Sequence, residues 1–64
     1  MAKFMVMVPS DNDREMMEQD PKHEPIGAKH GEMEAINEAV ARANHRRGVI
    51  EGLYPKGSWI AEPL

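Results

Sequence analysis

A strand–helix–strand pattern covering much of the chain constrains its fold more than any other feature. Lys3-Phe4-Met5-Val6-Met7-Val8 reads as a β-strand, Glu32 to Arg46 as an amphipathic helix, and Gly48-Val49-Ile50-Glu51-Gly52-Leu53-Tyr54 as a second strand. Two strands and one helix make half of a common small α+β architecture. Few residues follow Tyr54, so the other half is expected to come from a partner or to be done without. Residues 1–64 are expected to form one small domain, residues 9–31 a connecting segment with a short helix, and residues 62–64 a tail.

The first strand is apolar at every position from Phe4 to Val8. Phe4, Val6 and Val8 share one face, and Met5 and Met7 the other. A strand with one wet face alternates apolar and polar residues; this one calls for cover on both sides, and a single helix covers only one. Domains of this size bury only about 60% of their unfolded surface and usually need disulfides, a metal or oligomerisation. The chain has no cysteine, which excludes disulfides and thiolate–metal sites. A homo-oligomer is therefore expected, most simply a dimer burying the Met5/Met7 face or Trp59; a different protein partner is the other possibility. Six methionines carry much of the apolar volume, and methionine suits adaptable interfaces.

Eight basic residues against eleven acidic give a net charge of −3, which argues against non-specific nucleic-acid binding, since that needs a basic face. No apolar run approaches the roughly 20 residues that span a membrane. The N-terminus does not read as a signal peptide: Lys3 is the only charge at its start, its apolar run is short, and no small-residue cleavage site follows. A cytoplasmic protein is the default expectation.

Pro9 should end the first strand, with Ser10-Asp11-Asn12-Asp13 as turn and helix start. Asn12 followed by Glu15 has the spacing of a capping box. A short helix through Met16 and Met17 cannot pass Asp20, because Pro21 forces its predecessor out of helical geometry. Pro21 to Gly31, with two prolines, two glycines and two histidines, reads as loop. In the main helix, Met33, Ile36, Val40 and Ala43 recur at helical spacing, making Ile36 and Val40 expected core residues. Glu32 and Glu34 suit its first turn; Arg42, Arg46 and Arg47 suit its last. Gly48 is placed to be the left-handed cap. Gly52 suggests a bulge in the second strand. Pro55-Lys56-Gly57-Ser58 is a turn, and Trp59-Ile60-Ala61 either starts a third strand or anchors on the sheet or a neighbour.

The inventory of reactive residues is thin. No two of His23, His30 and His45 stand at the i,i+4 spacing of helix-borne metal ligands. His23 with Glu24, or His30 with Glu32, could form a carboxylate–imidazole site in the central loop; both histidines read more simply as solvent-exposed. Ser10 looks like a cap, and Ser58 lacks the flanking glycines of a nucleophile elbow. There is no threonine, phosphate loop or dinucleotide fingerprint. Asp11, Asp13, Glu15, Glu18 and Asp20 lack calcium-loop spacing and read as a solvated acidic face. Arg42-Ala43-Asn44-His45-Arg46-Arg47 is the one basic cluster; it could grip a phosphate, but reads first as a helix C-terminus. No catalytic residue, cofactor or metal ligand can be assigned.

Three segments resemble the N-terminal half of the YCII-related, or DGPF-domain, family. Lys3 to Val8 resembles its opening strand, Ile36-Asn37-Glu38-Ala39-Val40-Ala41-Arg42-Ala43 the end of its first helix, and Gly48 to Pro55 its second strand. Together they span most of residues 3–57. The Asp-Gly-Pro-Phe segment, second helix and last two strands have no counterpart. The resemblance implies the βαβ half of a ferredoxin-like fold or dimeric α+β barrel, in which the two strands of a βαβ unit are parallel with a third strand between them. That slot would be closed up, or filled by Trp59-Ile60-Ala61 or another chain. Some members place a histidine near the first helix; His30 is the nearest match, and no dyad carries over. Two functions follow: a non-enzymatic interaction or oligomerisation module, or a YCII-like small-molecule binder with possible weak enzymatic activity, in which His30 would sit in a pocket beside a carboxylate such as Glu32.

Overall fold

The computed structural model describes residues 1–62; Pro63 and Leu64, which the sequence assigns to a tail, lie outside the described residues. Five elements follow in order: β1 (Ala2–Val8), α1 (Asp11–Gln19), β2 (Ala28–Ala35), α2 (Glu38–Ile50) and β3 (Trp59–Ala61). The strands form one sheet in the order β2-β1-β3, with β1 antiparallel to both neighbours. β2 and β3 are thus parallel to each other, joined through α2, with β1 between them. This is a split βαβ unit. The chain is α+β with a helix packed on a small sheet, and it is compatible with half of a ferredoxin-like fold.

The class matches the sequence, but the unit is built one element later than expected. Its strands are β2 and β3, and the all-apolar β1 fills the slot between them. Segment 48–54, expected as a strand, is instead the end of α2 and the turns after it. Residues 28–31, expected as loop, begin β2. Residues 32–35, expected as the first turn of the helix, complete it. Glu32-Met33-Glu34-Ala35 alternates with period two, the strand signature; Met33 and Ala35 turn inward and the glutamates outward.

The helix then starts at Glu38, with Asn37 as its cap: the Asn37 Oδ1 accepts from the Val40 N–H at 2.9 Å. This shift rotates the buried stripe. Ala41 packs with Phe4 and Ala35 and Gly48 is covered by Tyr54, while Ile36, 71% exposed, and Val40, 38% exposed, do not belong to the core. Gly48 is not the left-handed cap either. That role falls to Gly52 at φ +82°. The Leu53 N–H donates to the Gly48 carbonyl at 2.7 Å and the Gly52 N–H to the Val49 carbonyl at 3.2 Å, the two bonds of a Schellman motif.

Helical Gly48 has a packing reason: a Cβ there would run into the Tyr54 ring. Gly48→Ala would gain about 1 kcal/mol of helix propensity but must displace that ring, at a cost of about 1–3 kcal/mol. The expected result is a net loss of stability in chemical denaturation, despite an ordinarily favourable substitution.

The core is small. Phe4, Ala35 and Ala41 cluster with Met33 and Ile60 against them, and Val6 is fully buried. On the opposite face of β1, Met5 and Met7 are half-buried. They pair with Glu32 and Lys29 on one side and with Ala61 and Trp59 on the other.

Helix α1 ends at Gln19, as Pro21 requires, but its capping box is Ser10–Asp13, not Asn12–Glu15. It packs on no strand as α2 does. Asp13 holds it in place.

Candidate functional site

Two clusters of polar side chains stand out, and the first is centred on Asp13. This carboxylate is fully buried and accepts five hydrogen bonds. Oδ2 receives the Ser10 N–H (2.9 Å), the Ser10 hydroxyl (2.8 Å) and the Gly27 N–H (2.8 Å). Oδ1 receives His23 Nε2–H and the Ile26 N–H, both at 3.0 Å. Hydrogen bonds from Ser10 first, then from His23, Ile26 and Gly27, hold its carboxyl well below the usual carboxylate range, against the opposing effect of burial. Asp13 thus ties the start of α1 to the loop before β2. With its donors all supplied by the fold, the arrangement is structural, and the carboxylate that pairs with His23 is Asp13, not Glu24.

The acidic cluster of the sequence therefore divides. Asp13 is buried, whereas Asp11, Glu15, Glu18 and Asp20 are exposed. Among the described residues no three His, Cys, Asp or Glu side chains converge as metal ligands do. His30 is exposed on β2. Glu32, the carboxylate considered for it, is engaged by Lys29 and by Lys3 at 3.7 Å instead. Lys29 first, then Lys3, lowers its pKa.

The second cluster lies in an open groove of about 670 Å³ between α2 and β3. Helix α2 contributes Arg42, His45, Arg46, Val49 and Ile50; the other wall is Gly57, Ser58, Trp59 and Ile60. The lining is more apolar than polar, its charged side chains are Arg42 and Arg46, and among the described residues no carboxylate lines it. Arg42 is bound by Glu38 through Nε (3.1 Å) and Nη2 (2.8 Å). Among the described residues Arg46 makes no ion pair.

At one end, His45 Nε2 lies 2.7 Å from Ser58 Oγ, and Ser58 Oγ donates to the Pro55 carbonyl at 2.7 Å. A hydroxyl has one proton. Given to Pro55, it leaves Ser58 to accept from His45 Nε2–H. The pair therefore does not have the donor–acceptor order of a serine activated by a histidine base. It staples the turn before β3 to α2, and the Tyr54 ring stacks on His45 with centroids 5.5 Å apart.

Sequence reasoning singled out the Arg42–Arg47 cluster and Trp59-Ile60-Ala61 separately; the fold brings them to one groove. Asp13 was missed as an individual, although Ser10-x-x-Asp13 is itself a capping-box pattern. No family model, curated protein or solved structure matches this chain. Among the described residues no helix is long and apolar enough to cross a membrane.

Proposed function

We propose that this protein is a non-enzymatic interaction module that self-associates, most simply as a dimer. One observation carries the reading: more large aliphatic surface lies outside than inside. The buried apolar residues are Phe4, Val6, Ala35 and Ala41, while Ile26, Ile36, Ile50 and Leu53 are 68–82% exposed. Covering such a side chain gains about 1.5–3 kcal/mol. In a domain with so little core, and no disulfide, covering several would be a large part of the total stability. The half-buried Met5, Met7 and Trp59 add to the surface a second copy could cover.

Sedimentation equilibrium combined with thermal melts over a hundredfold concentration range tests this. A dimeric mass and a Tm that rises with concentration are expected, since association stabilises by mass action. A cooperatively folded monomer at high micromolar concentration, with a Tm independent of concentration, would overturn it.

The second reading, a YCII-like small-molecule binder, has one observation in its favour: the α2–β3 groove is within the size range of ligand sites. Against it, His30 is exposed and does not line that groove.

A further inference from the structure

We infer that the groove between α2 and β3 binds an extended, acidic segment of a partner protein, added as a strand along the free edge of β3. The inference rests on the interaction reading above and names what the groove takes.

Three observations converge. First, the groove runs between α2 and β3, with residues 57–60 as its second wall, so an extended ligand in it lies alongside the outermost strand of the sheet. Second, among the described residues β3 pairs with β1 on one side alone, leaving its outer edge open to another strand. The sheet's other edge, β2, is guarded by Lys29, Glu32 and Glu34 and by an irregularity in its pairing with β1. Such charges and bulges are how proteins discourage strand addition. Trp59-Ile60-Ala61 carries neither charge nor bulge. Third, in a chain of net charge −3 the groove presents Arg46, which makes no ion pair among the described residues, beside Arg42, which Glu38 already holds, over the apolar side chains of Val49 and Ile60.

A strand lying between an exposed sheet edge and a helix is an established mode of peptide recognition. Main-chain hydrogen bonds supply affinity, and alternate side chains supply specificity. Here the alternation that fits is apolar toward Val49 and Ile60 and acidic toward Arg46. Because β3 is three residues long, the ladder is short, and Arg46 with the apolar side chains must provide much of the affinity.

The probe is an acetylated, amidated hexapeptide alternating glutamate and valine, titrated into the ¹⁵N-labelled full chain and followed by NMR. Saturable amide shifts are expected at residues 57–61 and along 42–50, weakening as salt is raised. Arg46→Glu, at an exposed position that should leave folding intact, is expected to weaken binding about tenfold. A peptide of alternating lysine and valine should not bind. N-methylation of alternate amides in the glutamate peptide should abolish binding by removing ladder donors while keeping every charge. No shift at millimolar peptide, equal binding of the N-methylated peptide, or shifts confined to the β2 edge or to the Met5/Met7 face would each overturn the inference. If the peptide fails while sedimentation still finds a dimer, the groove assignment falls and the self-association reading stands.

Discussion

Asp13→Ala is expected to be among the most damaging single substitutions in the chain. It removes one side chain and leaves the N–H groups of Ser10, Ile26 and Gly27, the Ser10 hydroxyl and the His23 ring without their acceptor. Donors stranded out of contact with water are costly. The helix that Asp13 anchors has little else to hold it, because nine residues are too few for an isolated helix to persist in water. A fall in Tm of roughly 10 °C or more is expected, given the steep dependence of Tm on stability in so small a domain. Asp13→Asn should fare little better, because its amide group turns donors toward donors.

The same residue predicts an acid dependence. The folded protein holds the Asp13 carboxyl below its ordinary pKa, so the unfolded chain binds the proton more readily. Its contribution is complete above about pH 4, the ordinary aspartate value, and drains away as pH falls below that. Urea denaturation at pH 7 and at pH 2.5 should show the gap between wild type and Asp13→Asn narrowing sharply in acid. An unchanged gap would mean that the carboxylate charge is not what holds the loop.

Much of this structure was legible from residues 1–20 and little of it from residues 28–54, for physical reasons. The continuous apolar run of β1 admits few conformations other than a covered strand, and Pro21 stops α1 whatever else happens. Between Ala28 and Tyr54 two periodicities overlap. Met33, Ile36, Val40 and Ala43 satisfy a helical repeat, while Glu32 to Ala35 satisfies a strand repeat within it. The contest is decided by Asn37, whose capping bond to Val40 starts the helix late and turns Ile36 outward. Pairing of Met33 with Phe4 then claims the preceding residues for the sheet. Likewise, the apolar residues of 48–54 look like a strand until Gly52 takes up its left-handed conformation. The groove was not legible, since Arg46 and Trp59 are distant in sequence and meet only through the split βαβ topology.

That topology links the two polar clusters. The Gly27 N–H, bound by Asp13, belongs to a residue at φ +91° that a Trp59 ring edge overlies, where a Cβ would sit 2.7 Å from the ring. The anchor of α1 therefore also fixes the backbone on which the Trp59 ring rests.

Phe4→Ala tests the core on which all of this rests, and its expected effect is comparable with the whole stability of the chain. Phe4 is 3% exposed and is the largest side chain of the buried cluster, meeting Ala35 and Ala41 with Met33 and Ile60 around it. Two of those neighbours are alanines, which have no side-chain freedom with which to fill a void, so the cavity would persist. Truncating a buried phenylalanine costs about 3–5 kcal/mol. A single domain of this length has about 3–10 kcal/mol in all, at roughly 0.05–0.15 kcal/mol per residue. Phe4→Ala should therefore lose roughly a third of the stability or more and shift its urea midpoint far down, while Phe4→Leu, which keeps most of the volume, should stay close to the wild type. If self-association covers the outer aliphatic residues, raising the concentration should partly rescue the alanine variant, because assembly favours the folded state. A Phe4→Ala protein that melts like the wild type would mean that the core lies elsewhere than on the inner face of β1.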